Sequence, residues 1–170
     1  GSALNPLSLY AETRIESENI ILNGTGGAFA RSDDGLSPTV LRFGTLYGFS
    51  RRMRFDLAIN ILTARALAES YIPIYGGDQC RPFLHVQDAA DAIVAVAQAP
   101  EEQICRQIFN VGSTNQNLEI REVGRLIKDR FPEAELVFIP HTEDHRNYRV
   151  SFEKINQVVG WKAIRTIEEG

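Results

Sequence analysis

The residues best suited to proton transfer are Tyr10 and Arg14, in the run Tyr10-Ala-Glu-Thr-Arg14. Their four-residue spacing predicts that both side chains lie on one face of a helix. A phenol with its ordinary pKa near 10 is a poor base at neutral pH, but a cation about 4 Å away in a half-buried site stabilises the phenolate enough to bring that pKa to about 7. The pair therefore indicates a tyrosine base assisted by a cation. The alternative interpretation is that Tyr10 packs in the core and Arg14 is a solvated surface charge.

Two other clusters are weaker indications of chemistry. His141 and His145 flank two acidic residues, which superficially suggests zinc, but the run follows Pro140 in a predicted loop and lacks the glutamate placement of zinc proteases. We therefore predict no metal site there. The basic run from Arg51 to Arg54 has the charge to contact phosphates, but the net charge of the chain is -4 and a solvated helix start is the favoured interpretation.

The composition excludes several classes of protein. The chain has 170 residues, of which 44% are apolar and 24% charged, a profile typical of a folded domain and not of a disordered one. The acidic balance and scattered aromatic residues argue against nucleic-acid binding. Two cysteines, Cys80 and Cys105, are too few for a disulfide framework, and the apolar stretch at 89–99 is too short to span a bilayer. A cytoplasmic protein is the prediction.

Strand-like and helix-like segments alternate along the chain, which indicates an α/β fold. Apolar residues from Val86 to Ala97 recur at helical spacing, and short β-branched runs flanked by glycine are typical of buried parallel strands. The apolar run at residues 39–43, predicted to be a buried parallel strand, ends in the glycine-punctuated segment 44–48. The predicted helices cover residues 6–22, 55–69, 86–97, 118–131 and 151–160, and the predicted strands cover residues 39–43, 72–75, 108–111 and 135–139.

Both ends of the chain look cut, because the first helix has no strand before it and Thr166 begins a capping box for a helix that does not continue. The one glycine cluster, Gly24 to Gly27, follows a helix and lacks the spacing of a dinucleotide-binding turn, so we predict an ordinary loop. The chain is therefore expected to be a fragment, or a minimal relic, of a larger α/β protein.

Several ordered motifs together resemble the extended short-chain dehydrogenase/reductases, specifically NAD-dependent nucleotide-sugar epimerases and dehydratases of the UDP-galactose 4-epimerase type. The motifs are Tyr10-Ala-Glu-Thr-Arg14, Leu41-Arg-Phe-Gly-Thr-Leu-Tyr-Gly48, Tyr75-Gly-Gly-Asp-Gln-Cys-Arg-Pro-Phe-Leu-His-Val86, Phe109-Asn-Val-Gly112 and Tyr148-Arg-Val-Ser151. The resemblance covers the C-terminal part of that family, and the fold it implies is a truncated Rossmann-like parallel sheet, its C-terminal half, with a small α/β substrate-binding domain. It implies that residues 1–50 hold the catalytic helix and a late Rossmann strand, and that residues 51–170 form the substrate-binding domain with returning sheet elements.

The resemblance also implies the residues of a cofactor site. Tyr10 matches the tyrosine that exchanges a proton with the sugar hydroxyl, and Arg14 stands where the family has a lysine that binds the nicotinamide ribose and lowers the tyrosine pKa. Arginine keeps the charge but differs in shape and length. Phe43 and Gly44 match the stretch beside the nicotinamide. The implied cofactor is NAD or NADP.

Four further residues are implied to bind the nucleotide sugar. Thr45 stands where many relatives have asparagine, and Asn60 matches an amide that the family presents to the diphosphate. Arg81 matches a diphosphate-contacting arginine, and Arg146 is a second candidate for that task, because a guanidinium can bind two phosphate oxygens at once. Without the resemblance, Arg81 is better interpreted as a surface charge. His85 matches a histidine of structural role.

Two functions of different class remain open from the sequence. The first is the C-terminal portion of an NAD(P)-dependent nucleotide-sugar epimerase or dehydratase, inactive alone because the dinucleotide-binding glycine turn is missing. The second is a non-catalytic module that self-associates through the first helix as a homo-oligomer, or that complements a separate N-terminal half. The expected ligand is a nucleotide-diphosphate sugar, and neither nucleic acid nor a membrane is an expected partner.

Overall fold

The computed structural model describes residues 5–23, 37–140 and 146–170. Its main elements, in chain order, are α1 (Leu9–Asn23), β1 (Val40–Phe43), β2 (Thr45–Tyr47), α2 (Ala58–Glu69), β3 (Tyr71–Tyr75), β4 (Cys80–His85), α3 (Val86–Gln98), α4 (Glu101–Ile104), β5 (Ile108–Val111), β6 (Asn117–Glu119), α5 (Ile120–Arg130), β7 (Glu135–Ile139) and α6 (Glu153–Val159). Short 3-10 turns at Thr114–Gln116 and Ile167–Glu169 complete the list. The predicted α/β class is confirmed.

The chain divides into two compact units. The first comprises residues 1–41 and 99–109, and the second comprises residues 42–98 and 110–170. In the first unit, the Thr39 hydroxyl donates to the Ile104 carbonyl at 2.8 Å, and the Val40 N–H donates to the Gln107 carbonyl at 2.9 Å. Helix α1 buries none of its fifteen residues. The sequence-based division at residue 50 stays a prediction.

The second unit contains two groups of paired strands. Strands β2 and β4 run parallel, with Thr45 opposite Phe83, and β6 joins β4 antiparallel, with Leu118 opposite Arg81. Strands β3 and β7 form a separate parallel pair, in which Tyr71 lies opposite Glu135. Parallel strands buried on both faces have continuous apolar runs, and the middle of β3 from Ile72 to Ile74 is fully buried.

Helices α2 and α5 cover this core. Each presents apolar residues three or four positions apart, which form one stripe on a helix. The stripe of α2 contains Ile59, Leu62 and Ala66, and that of α5 contains Val123 and Ile127. These residues belong to one buried cluster with strand residues such as Ile72, Ile74 and Phe83. Each fully buried large apolar side chain contributes about 1.5–3 kcal/mol to folding.

Some predicted boundaries were wrong for identifiable reasons. Helix α1 begins at Leu9 and not at Pro6, because the Ser8 hydroxyl accepts a hydrogen bond from the Ala11 N–H at 3.2 Å and caps the first turn. The glycine-punctuated segment 44–48, expected only to end the strand at residues 39–43, contains a second strand, β2. The end of α6 is as predicted, since Gly160 takes the left-handed conformation with φ 74° and Trp161 is buried.

Every helix in the described residues falls short of the length and apolarity that a bilayer span requires. Across the same ranges, no three side chains of the metal-ligating types come together as a cluster. The histidine pair at 141 and 145 and the glycine cluster at 24–27 lie outside the described residues.

Candidate functional site

An open cleft of about 420 Å³ lies in the second unit. Apolar side chains of α2 form one wall, and strands β2, β3 and β4 contribute the others. Its polar lining includes Thr45, Arg65, Gln79 and Arg81. An apolar wall beside two guanidinium groups is the combination that suits a ligand with a flat ring system and a phosphate group.

Arg81 is the most unusual residue of this cleft, because it is a charged residue of a strand and is almost fully buried. Only 7% of Arg81 is exposed. Its Nη1 donates to the Cys80 carbonyl at 2.8 Å and also to the Arg146 carbonyl. The Arg81 guanidinium carbon lies 5.3 Å from the centre of the Tyr148 ring, a cation–π contact. The carbonyls and the ring offset part of the cost of removing this charge from water.

The segment that covers Arg81 is residues 146–151, which we call the strap. The Asn147 side-chain oxygen accepts the Cys80 N–H at 3.1 Å, and the Tyr148 N–H donates to the Cys80 carbonyl at 3.5 Å. The strap is therefore bonded to β4 at the residue that precedes Arg81. Arg146 itself is an exposed residue whose backbone oxygen, as described above, accepts from Arg81.

Asn60 is not one of the residues that line the cleft, and its side chain is hydrogen-bonded to the backbone. It is buried in the first turn of α2. Its Oδ1 accepts the Gly48 N–H at 3.3 Å, and its Nδ2 donates to the Arg54 carbonyl at 3.0 Å. The amide thus joins two points of the loop between β2 and α2. The structure brings Thr45 and Arg81 to one cleft, with Arg146 against Arg81, whereas Asn60 holds this loop.

The basic run predicted to start a helix lies in that same loop. Arg51 and Arg52 are exposed. Arg54 forms a two-pronged ion pair with Asp56, with distances of 3.1 and 2.6 Å from Nε and Nη2 to the two carboxylate oxygens. The hydrogen bonds from Arg54 lower the pKa of Asp56. Asp56 lines the cleft, so this pair stands at its rim.

In the first unit, Tyr10 is exposed over 68% of its surface, so the alternative of a core tyrosine is wrong. The Arg14 guanidinium carbon lies 5.0 Å from the centre of the Tyr10 ring. The four-residue spacing correctly predicts that the two side chains meet, and the Arg14 guanidinium lies over the face of the Tyr10 ring. A phenol hydroxyl and a guanidinium are both donors to hydroxyl or phosphate oxygens, and this donor set fits the ribose end of a dinucleotide.

Phe43 and Gly44 belong to the second unit. Phe43 ends β1 with its side chain partly exposed. Gly44 donates its N–H to the Val111 carbonyl at 3.0 Å, and a Cβ there would come within 3.1 Å of the Pro82 carbonyl oxygen. Gly44 is therefore needed for close passage of the backbone beside β4.

A buried polar network escaped the sequence analysis. The Tyr47 hydroxyl donates to the Gln116 side chain at 2.9 Å, and the Gln116 amide donates to the Arg165 carbonyl at 2.6 Å. Burial, with the charge of Asp88 nearby, raises the pKa of Tyr47, so this phenol stays protonated. The residues involved are far apart in the chain, and no local pattern indicates their contact.

The comparisons with known proteins agree on the type of protein. Residues 1–112 match the family model described as the NAD dependent epimerase/dehydratase family. The dTDP-glucose 4,6-dehydratase 1 of Escherichia coli (strain K12) is 28% identical over 182 aligned residues, covering 99% of this chain and 46% of that protein. The dTDP-L-rhamnose 4-epimerase of Burkholderia thailandensis is 26% identical, covering 97% of this chain and 44% of that protein. The chain thus spans less than half the length of these curated relatives.

Solved structures of similar fold cover the chain almost completely. MoeE5, solved in complex with UDP-glucuronic acid and NAD, superposes with a TM-score of 0.81 and 29% identity over 99% of this chain and 55% of its own. The UDP-glucose 4-epimerase of Thermotoga maritima, solved with UDP-glucose, has a TM-score of 0.80 and 25% identity over 98% of this chain and 52% of its own.

Proposed function

Because this chain belongs to the NAD dependent epimerase/dehydratase family, we propose that it forms the nucleotide-sugar-binding part of an NAD-dependent epimerase or dehydratase. The observation that carries the proposal is Arg81, a buried guanidinium held at an apolar cleft of about 420 Å³. The solved relatives that bind UDP sugars and NAD support the ligand class. Whether the sugar is epimerised or dehydrated is left open by this proposal, and the cytoplasmic location stays a prediction.

In this proposal the cleft takes the nucleoside diphosphate. Arg81 binds phosphate oxygens, which are the acceptors its planar fork matches best. The apolar residues of α2 and Ile120 of α5 contact the flat face of the base. Thr45 donates to the sugar or phosphate from the opposite wall, and Arg146 adds positive charge beside Arg81. Asn60 contributes by fixing the loop between β2 and α2.

The chemical part of the proposal concerns the first helix. Tyr10 takes the proton of a sugar hydroxyl, and Arg14 stabilises the phenolate through its charge. Bound NAD would supply the hydride acceptor and donor for this chemistry. Tyr10, Arg14, Phe43 and Gly44 are the residues of this chain that we propose contact it. A titration with NAD tests whether this chain alone binds the dinucleotide.

Isothermal calorimetry of the purified chain with UDP, UDP-glucose and NAD tests the proposal. We expect saturable heat with UDP and UDP-glucose, and a loss of affinity of about tenfold or more for Arg81→Ala, the cost of one charged hydrogen-bonding group. Arg81→Lys, which keeps the charge, tests the fork geometry. Arg125→Ala, an exposed arginine of α5, is the matched control. Absence of heat with both UDP ligands would refute the proposal, and NAD heat alone would place the site elsewhere.

A second candidate function is self-association through α1. Its support is that a fifteen-residue helix buries none of its residues and, with the segment before it, exposes Leu7, Leu9 and Tyr10. Apolar side chains in this setting favour pairing with a second copy of the helix. Light scattering is expected to give a multiple of 19.0 kDa, and Leu9→Glu to reduce it, whereas Glu12→Gln serves as control. A monomer mass for the unmodified chain would exclude this function.

A further inference from the structure

The strap has a second point of attachment, at Asn117. This residue begins β6 and only 6% of it is exposed. Its Oδ1 accepts the Val150 N–H at 2.8 Å, and its Nδ2 donates to the Val150 carbonyl at 2.9 Å. One side-chain amide therefore bonds both backbone groups of a single strap residue, as a neighbouring strand would.

The position of Asn117 in the sheet explains why a side chain has this task. Asn117 is the first residue of β6 and lies opposite Pro82, which has no N–H to donate to a ladder. The same Nδ2 also donates to the Thr114 carbonyl at 3.0 Å, which fixes the amide to the preceding turn. The bond to the Thr114 carbonyl therefore fixes the orientation of the Asn117 amide independently of the strap.

The two attachments lie on either side of Tyr148, one of the two strap residues that contact Arg81. Asn147 is bonded to Cys80 and Val150 is bonded to Asn117, and Tyr148 lies between them with its ring on the Arg81 guanidinium. The Arg146 carbonyl, one residue before Asn147, accepts from Arg81. Loss of the Asn117 side chain leaves the strap bonded at Cys80 and through the Ser151 carbonyl, which accepts from the Asn110 amide at 3.2 Å, but frees Val150 between them. The Tyr148 ring and the Arg146 carbonyl, which orient Arg81, are then less firmly held.

We propose that Asn117 is a positioning residue: by holding the backbone of Val150 it fixes the strap, which aims the Arg81 guanidinium at a diphosphate in the cleft. This inference rests on the proposed function of the cleft. Asn117 acts through the strap and not by contact with the ligand. Tyr148 is the link between the two, because its ring is the strap group that lies on the guanidinium.

The experiment has a structural arm and a binding arm on the same variants. The variants are Asn117→Leu, which removes all three hydrogen bonds, Asn117→Asp, which keeps only the acceptor, Tyr148→Leu, and Tyr148→Phe, which keeps the ring. Asn115→Leu, exposed in the adjacent turn, is the matched control. Amide exchange measured by NMR follows the Val150 N–H, and calorimetry compares UDP with uridine, which lacks the phosphates.

We expect Asn117→Leu to remove protection of the Val150 N–H and to weaken UDP binding about tenfold, while the uridine affinity stays unchanged. Asn117→Asp gives an intermediate loss. Tyr148→Leu reproduces the loss of UDP affinity with the Val150 N–H still protected, and Tyr148→Phe restores it. This separation of UDP from uridine is a result that general destabilisation does not produce, because unfolding lowers the bound fraction of both ligands alike.

Two results overturn the inference and are distinct from failure of the proposed function. If the unmodified chain binds UDP and Asn117→Leu and Tyr148→Leu leave the UDP-to-uridine ratio unchanged, Asn117 does not position Arg81. If the Val150 N–H keeps its protection in a folded Asn117→Leu variant, the amide does not hold the strap. If the unmodified chain binds no UDP, the proposed function fails and the diphosphate role of Asn117 fails with it.

Discussion

His85 illustrates how much a single residue depends on its neighbours. Its ring makes an edge-on contact with Tyr47, with 5.3 Å between ring centres, and its Nδ1 accepts the Gln87 N–H at 3.1 Å. Gly48 is next to the ring, since a Cβ there would come within 2.4 Å of Nε2. Burial, opposed by the charge of Asp88, lowers the pKa of His85 below its ordinary 6.5.

This lowered pKa predicts a pH dependence of stability. Between the folded pKa and 6.5 the unfolded chain binds more protons at His85 than the folded chain, so the free energy of unfolding decreases as pH falls through this range. The urea midpoint is expected to be lower at about pH 5.5 than at about pH 7.5, and His85→Asn, which keeps an acceptor for the Gln87 N–H, to reduce that difference. A ring titration by NMR at or above 6.5 would contradict the prediction.

At the scale of elements, the close packing of β5 and α6 depends on Gly112. This glycine follows β5, and a Cβ there would come within 2.6 Å of two carbons of the Phe152 ring. Phe152 is buried at the N-terminus of α6 and has little room to move. The absence of a side chain at Gly112 therefore permits the aromatic ring to lie directly on the backbone.

Gly112→Ala is expected to lower the free energy of unfolding by about 1–3 kcal/mol, the usual cost of overpacking a core. Chemical denaturation measures it. The double variant Gly112→Ala with Phe152→Leu is the test of mechanism, because a smaller side chain at 152 should accept the new methyl group. Additive losses in the double variant would show that contact with the ring is not the cause.

The elements that the sequence predicted well are those with a regular apolar pattern. Helix α3 follows its spacing of apolar residues from Val86, and strand β7 coincides with its predicted bounds. Strand β4 was missed because Arg81, Pro82 and His85 are poor strand formers, and their burial depends on the distant strap and on β6. The contact of Arg14 with Tyr10 was predictable because the two residues are four apart on one helix. The contacts of Asn117 with Val150 and of Tyr148 with Arg81 join residues far apart in the chain, and no local pattern indicates them.

At the scale of the whole second unit, Arg165 joins the C-terminal segment to α3. Its guanidinium forms ion pairs with the buried Asp88 and with Asp91, the latter at 2.9 Å. The N–H groups of Ile164 and Arg165 donate to the second oxygen of Asp88 at 3.2 and 3.0 Å. The hydrogen bond from Arg165 lowers the pKa of Asp91. The segment thus supplies one ion pair and two backbone hydrogen bonds to the Asp88 carboxylate, which would otherwise be a costly buried charge.

Arg165→Ala is expected to lower the free energy of unfolding by about 2 kcal/mol, because Asp88 keeps its two backbone donors but loses its counter-charge. Lys162→Ala, an exposed cation of the same segment, should change it little. Urea denaturation of the two variants in parallel gives the comparison. Equal effects would mean that the pair with Asp88 adds no stability beyond surface charge.

The strap has a consequence for the order of folding events. The hydrogen bonds from Arg81 to Arg146 and from Cys80 to Asn147 join positions 65 and 67 residues apart, and β3 pairs with β7 across a similar interval. Closing such long loops costs chain entropy before any contact is gained, which places these contacts late in folding. Arg81 is therefore expected to stay hydrated until this closure is complete. A diphosphate that needs Arg81 in place would bind only to chains that have completed this closure. The number of binding sites found in a titration would therefore equal the number of fully folded molecules.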